Sequence, residues 1–427
     1  MLSKFLYNIF LLLYSIGVRI ASLWNPKAKK WVNGRKNIFT SINHQLSTNN
    51  CKLIWMHCAS LGEFEQGRPL LEELRINAST GSARQLKIVL TFFSPSGYEV
   101  MKNYAGADYI FYLPMDSPAN AKFFLDAINP SLVLWVKYEY WFYYLQELKQ
   151  RNIPAILVSG IFRKNQPFFK WYGGIWKKML ESFTHFFVQN EESKQLLSTI
   201  NFTGNVTING DTRFDRVLEI ANTFEPVPFI PEFCGNSIVI VAGSTWEEDE
   251  IELLHFVKVH PEIKFIIAPH EIDEENLNDV KAEFKNSIFY SEFEQTQNSK
   301  PKTENVLIID NIGMLSRIYK YATIAYVGGG FGDDGVHNVL EAAVYGKPVV
   351  FGPVYEKFDE ATGLVNEEGG ISINGPISLE GVLNKLLHDE TERKKRGEAA
   401  KNYVLANAGA SKKIIQFIQE KRLLTNR

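Results

Sequence analysis

The sequence predicts an α/β protein of two Rossmann-like domains facing a cleft, with an N-terminal membrane-anchoring helix. Three observations carry this. From about residue 52, short apolar runs alternate with amphipathic stretches, the pattern of a parallel sheet covered by helices. Around 222–236 the sequence turns irregular and carries Pro226, Pro228 and Pro231; a second α/β pattern then opens at Ser237-Ile-Val-Ile-Val-Ala-Gly243. The chain's 427 residues also exceed what one hydrophobic core supports.

In chain order, residues 1–36 read as the anchor and its basic flank. The apolar run Phe5–Val18 is interrupted by Arg19 before Ile20-Ala-Ser-Leu-Trp24. It is shorter than the ~20 residues of a spanning helix, and no small-residue cleavage site follows. Lys27, Lys29, Lys30, Arg35 and Lys36 suit an anionic cytoplasmic leaflet. The segment therefore reads as an interfacial or once-spanning anchor, with a buried first helix as the alternative.

Residues 37–221 form the first expected domain, with strands at Leu53–His57, Lys87–Phe93, Leu132–Val136, Ala155–Ser159 and His185–Val188. A helix from Glu63 places Phe64, Gly67, Leu70, Leu71 and Leu74 on one face. Residues 222–236 are the linker, and 237–427 the second domain, with strands at 237–243, Lys264–Ala268, Val306–Ile309, Ile324–Val327 and Pro348–Phe351. The polar stretch Glu292–Asn305 reads as a solvated loop.

A net charge of -2 gives no global pull toward nucleic acid, so anionic partners must be met locally. Cys51, Cys58 and Cys234 have no metal-ligand spacing, and an odd count without a framework fits a reducing compartment. Cys58 lies in an apolar strand and reads as a small buried hydrophobe.

The most informative stretch is Tyr326–Pro353: an apolar strand, the turn Gly328-Gly329-Gly330, the pair His337-Asn338, a helix carrying Glu341, and a second strand. Glycines admit close backbone approach, and a helix opening at His337-Asn338 would aim free N–H groups at a phosphate. This is the layout of a nucleotide-sugar pocket; an ordinary strand–turn–helix is the plainer alternative. Ser60-Leu-Gly-Glu63 reads as a capping box, whose helix N-terminus keeps the carboxylate ionised. Ser244-Thr245, ahead of Glu247 and Glu248, reads as a second N-cap.

Several ordered segments together resemble the family of 3-deoxy-D-manno-octulosonic acid (Kdo) transferases. They are His57-Cys-Ala-Ser-Leu-Gly-Glu63 with Arg68-Pro69, Thr91–Gly97, Tyr112-Leu-Pro-Met-Asp116, Glu139-Tyr-Trp141, Gly210-Asp-Thr-Arg-Phe-Asp215, Val241-Ala-Gly-Ser-Thr245, Asp310–Leu315 and Gly328–Pro353. The resemblance implies a GT-B glycosyltransferase with an acceptor-binding N-terminal domain and a CMP-sugar-binding C-terminal domain. It implies inverting transfer of Kdo from CMP-Kdo to a lipid A precursor on the cytoplasmic face of the inner membrane, without a required metal or further cofactor.

Residue by residue, Glu63 matches the family's general base, and Glu139 a residue that orders the acceptor or the base; Ser60 and Gly62 stand beside them on the acceptor side. Lys137 stands where many relatives have a second acid, which puts proton sharing between two carboxylates in doubt. On the donor side, Ser244 and Thr245 are placed toward the phosphate or carboxylate, and Gly313 and Met314 near the cytosine. Gly329, Gly330, His337 and Asn338 lie toward the phosphate, and Glu341 toward the ribose. The stretch Ala268-Pro-His270 lacks an Arg common in relatives, leaving His270 as the substitute anion contact.

In Phe162–Lys178, Arg163, Lys164, Lys170, Lys177 and Lys178 are placed to meet lipid A phosphates, and Phe168, Phe169, Trp171 and Trp176 to meet acyl chains or the membrane interface. A partly buried helix with snorkelling lysines is the alternative. The rival functions are another GT-B transferase, a nucleotide-sugar epimerase, and a non-catalytic nucleotide-sugar-binding scaffold.

Overall fold

Strands β1 (Lys52–Cys58), β2 (Leu86–Phe92), β3 (Tyr109–Tyr112), β4 (Leu132–Val136), β5 (Ala155–Gly160), β6 (His185–Val188) and β7 (Val206–Ile208) form one parallel sheet in the order β3-β2-β1-β4-β5-β6-β7. The computed structural model describes residues 2–46, 52–80, 86–295 and 303–424. Cys51 and residues 296–302 of the expected polar loop lie outside them, while Glu292–Gln295 close a short helix, Tyr290–Gln295.

The central strands are continuous apolar runs because both faces are covered. Ile54, Met56 and Cys58 of β1 face one layer with Phe64, Leu70 and Leu71, and Cys58 is fully buried as expected. Trp55 faces the opposite layer, edge-on to Trp135, Phe124 and Tyr144. Such ring pairs add to the burial of their area.

The second sheet joins β8 (Val239–Thr245), β9 (Lys264–Pro269), β10 (Ser287–Phe289), β11 (Val306–Ile308), β12 (Ile324–Val327), β13 (Val349–Phe351) and β14 (Gly370–Ser372), also parallel, in the order β10-β11-β9-β8-β12-β13-β14. Its core includes Ile240, Leu253, Phe256, Ile267, Tyr326, Val350 and Leu383.

The chain divides into two compact units, Met1–Arg216 with Gly409–Arg427, and Val217–Ala408. The sequence reading assigned the last residues to the second domain. The difference has a physical cause: the amphipathic helix Ala410–Glu420 buries Ile414, Ile415 and Ile418 in the first unit's core. Asp215 accepts hydrogen bonds from the backbone N–H of Gly409 and Ser411, and so fixes that helix's start.

Helices α1 (Leu2–Ala21), α2 (Pro26–Asn33) and α3 (Ile38–Gln45) precede β1. Residues Ser3–Ala21 are long and apolar enough to cross a membrane, yet one stripe of α1 is docked on the first unit. Tyr7 donates to Asp116 at 2.6 Å, and Tyr143 donates to Asn8 at 2.7 Å. Leu11 is buried, and Tyr14 packs on Trp31 and Phe93. The remaining surface exposes Phe5, Leu6, Ile9, Phe10, Leu12, Leu13, Ile16 and Ile20.

Of the expected basic flank, Arg35 turns inward. Its guanidinium donates to the carbonyls of Trp31, Phe93 and Leu113, and lies 3.9 Å from the Trp31 ring centroid.

Candidate active site

In a doubly wound sheet, ligand chemistry gathers where the strand order reverses, at the carboxyl ends of the two strands that diverge. In the first sheet these are β1 and β4. Helix α4 (Leu61–Thr80) follows β1 and lies close against the sheet at Gly67. A Cβ there would stand 3.0 Å from Met56 Sδ and from Val136 Cγ2. This seat places Glu63 at the mouth of the β1–β4 division.

Glu63 is largely buried. Its carboxylate accepts from the backbone N–H groups of Ala59 and Tyr138, and its own N–H lies 3.5 Å from Ser60 Oγ. Only the Ser60 half of the expected capping box is present, because the Glu63 carboxylate reaches the Ala59 N–H and not that of Ser60, and the expectation that the cap keeps the acid ionised is corrected. Burial pushes Glu63 up to about 7, and the Glu139 charge adds to the rise. The two N–H groups and the Lys137 ammonium oppose it. Such a carboxylate is poised to take up a proton near neutrality. Nothing lies within 4 Å of a Cβ placed on Gly62, which leaves open space above the turn.

Glu139 follows β4 by three residues. Its Oε2 accepts from Trp141 Nε1 at 3.1 Å and lies 3.8 Å from His57 Nε2. His57 is fully buried, and its Nδ1 lies 2.9 Å from Thr91 Oγ1, which also accepts from Trp55 Nε1. Lys137 is buried with φ 54°, and its ammonium lies 5.0 Å from the Tyr138 ring centroid. Its charge, after that of Arg213, also holds Asp211 below the usual carboxylate range.

A cavity of about 1050 Å³ adjoins Glu139, lined also by Tyr7 and Phe10 of α1 and by Trp141, Trp171 and Trp176. Trp171 is 97% exposed. One expectation for this region changes: Phe168 is a core residue, packed on Tyr140 and Phe162. Arg163, Lys164 and Lys170 lie outside the lining of the cavity.

In the second sheet the order reverses between β8 and β12. Ser244 has φ 54°, and Thr245 Oγ1 donates to Glu250 at 2.7 Å. The expected cap at Ser244-Thr245 is corrected: the helix Glu247–Val259 has Trp246 as its N-cap residue, because Asp249 accepts the Trp246 N–H at 3.0 Å. Asp249 also accepts from Gly329 N at 2.7 Å and from Tyr326 at 2.7 Å, which ties the start of that helix to β12 and the glycine-rich turn.

Close approach there requires glycine. A Cβ on Gly329, whose φ is +87°, would meet Gly335 O at 2.6 Å, and one on Gly330 would meet Gly352 N at 2.6 Å. The helix expected at His337-Asn338 is also corrected. A single turn, Leu340–Ala343, begins after Asn338, whose Oδ1 accepts from Leu340 N at 3.3 Å. Asn338 Nδ2 donates to Glu341 at 3.0 Å.

His270 stacks on His337 at 4.4 Å and on Trp246 at 4.6 Å. Gly313, with φ +94°, and Met314 precede the turn Leu315–Ile318, where Leu315 reaches over Gly243 of β8. Thus Ser244, Thr245, His270, Gly329 and His337 form one cluster. Sequence reasoning passed over Trp246 and Asp249, whose partners lie far away in the chain, and over the contact of His57 with Glu139.

Residues 34–216 match the family described as 3-deoxy-D-manno-octulosonic-acid transferase (kdotransferase). The chain is 28% identical to the 3-deoxy-D-manno-octulosonic acid transferase of Aquifex aeolicus, over 82% of this chain and 90% of that protein. It is 30% identical to a bifunctional glycosyltransferase/methyltransferase of Fusobacterium nucleatum, over 74% of this chain, and spans only 50% of that relative's length. Among solved structures, a putative UDP-N-acetylglucosamine 2-epimerase of Listeria monocytogenes aligns with TM-score 0.62 at 13% identity, over 88% of this chain and 98% of that one. A glycosyltransferase of Rickettsia africae aligns with TM-score 0.58 at 16% identity, over 89% and 100%. These two likenesses show the shared GT-B-like α/β fold alone.

Proposed function

The chain belongs to the Kdo transferase family of glycosyltransferases, and we propose that it transfers Kdo from CMP-Kdo to a lipid A precursor at the cytoplasmic face of the inner membrane. The observation that carries this reading is Glu63: a buried carboxylate near neutrality, at the reversal of the first sheet, with open space above Gly62.

In the proposed step Glu63 accepts the proton of a sugar hydroxyl while that oxygen attacks the anomeric carbon of Kdo. The bond from that carbon to the CMP phosphate breaks, CMP leaves with the electron pair, and the configuration inverts. Glu139, held by Trp141 and facing His57, orients the acceptor sugar. The apolar cavity beside it suits an acyl chain, and Arg163, Lys164 and Lys170 approach lipid phosphates from outside it. The Ser244–Thr245 bend, His270, Gly329, Gly330, His337 and Asn338 receive the donor's anionic groups; Glu341 takes the ribose, and Gly313 and Met314 the base.

The exposed face of α1 lies in the membrane interface in this reading, because its other stripe is docked on the globular unit by hydrogen bonds at Tyr7 and Asn8 and by the packing of Leu11 and Tyr14.

The test is mass spectrometry of a tetraacyl lipid A precursor incubated with CMP-Kdo and the purified protein, in detergent with EDTA. Addition of Kdo supports the reading. An unmodified acceptor, with folded protein that binds CMP, rejects it.

A further inference from the structure

Trp246 and His337 are coupled in a way that constrains the chemistry of the imidazole. Trp246 Nε1 lies 2.9 Å from His337 Nε2, and the two rings are nearly coplanar, 13° apart. An indole N–H only donates, so Nε2 of His337 must offer a lone pair and the ring proton must reside on Nδ1. His270 lies across the pair, 24° from the Trp246 plane and 16° from that of His337. The Cδ2–Nε2 edge is also pressed on Gly329, where an added Cβ would stand 2.7 Å from Cδ2 and 3.1 Å from Nε2. Nδ1, on the far edge, is neither hydrogen-bonded to a described residue nor sealed in the interior.

We propose that Trp246 is a positioning residue: its indole N–H holds His337 as the neutral Nδ1–H tautomer, which donates to an anionic oxygen of a sugar nucleotide. This rests on the reading of the second sheet as the donor site. A free imidazole prefers the proton on Nε2 and gains charge near neutrality; this one does neither. Burial pushes His337 down to about 4, His270 reinforces the drop, and Asp334 of the glycine-rich loop opposes it. Around these groups, Glu247 and Glu248 open the helix after Trp246, Glu271 follows His270, and Lys357 donates to the Asp333 carbonyl. The result is a hydrogen-bond donor of constant strength across physiological pH, at the strand-order reversal where Gly329 lets the backbone come close.

The test reads the ring nitrogens of the full chain by ¹⁵N–¹H correlation, with His337 identified by its loss in His337→Gln. The expected result is a protonated Nδ1 and a bare Nε2, unchanged from pH 5.5 to 8, moving to the Nε2–H form in Trp246→Phe. A wild-type His337 that carries its proton on Nε2, or titrates between pH 6 and 7, overturns the inference whether or not the protein turns over. In the kinetic arm, Trp246→Phe raises KM for CMP-Kdo about tenfold with kcat nearly unchanged, as expected when one ligand hydrogen bond is weakened. An unaltered KM, beside an intact wild-type tautomer, removes the role in donor binding. If wild type shows no transfer, the proposed function fails by itself, and CMP affinity replaces KM as the readout.

Discussion

Glu63 has two partners for one carboxylate: it accepts the Ala59 N–H just ahead of α4, and in the proposed step, largely buried, it takes the acceptor's proton. A base must be ionised, so kcat/KM, which reports the free enzyme, should rise with pH through about 7 and level off above it, following the value to which burial lifts the acid. Lys137 lowers that value, so Lys137→Met should move the rising limb to higher pH, as a pH–rate profile will show. The Ser60 half of the cap was legible in Ser60-Leu-Gly-Glu63. The lift was not, because it comes from burial and from the Glu139 charge, which reach Glu63 only through the fold. The locked His337 tautomer was hidden for the same reason: its partner is 91 positions away.

The elements that the sequence announced are the central strands, whose apolar runs reflect burial on both faces. The strands it left unmarked, β3, β7, β10 and β14, are the four sheet edges. Three of them are three residues long and only partly covered, so they carry no continuous apolar run. Helix α1 shows the same limit. Its apolar composition was plain, but the stripe bonded to Asp116 and Tyr143 was not, because Tyr7 and Asn8 look like interruptions until their partners are seen. Tyr7→Phe should lower stability by about 1–3 kcal/mol by thermal melt, since Asp116 loses a donor in a buried setting. Gly330→Ala should lower stability by about 1–3 kcal/mol and weaken CMP binding, since its Cβ would press on the backbone of Gly352.

At the scale of the whole molecule, each unit carries a doubly wound sheet that divides beside its first strand, between β1 and β4 or between β8 and β12, and each cluster of candidate residues gathers at that division. The two-sheet plan and the position of both clusters along the chain were legible. The return of residues 409–427 to the first unit was not, because an amphipathic helix does not declare which sheet will cover it. The central claim is that this chain moves Kdo with Glu63 as base, and the most direct measurement is the rate of transfer from CMP-Kdo to a tetraacyl lipid A precursor by wild type and Glu63→Ala. The account predicts transfer by wild type and a loss of at least about a hundredfold in kcat for the variant, with CMP affinity unchanged. An undiminished rate in Glu63→Ala, or no transfer by folded wild type that binds CMP, would contradict it.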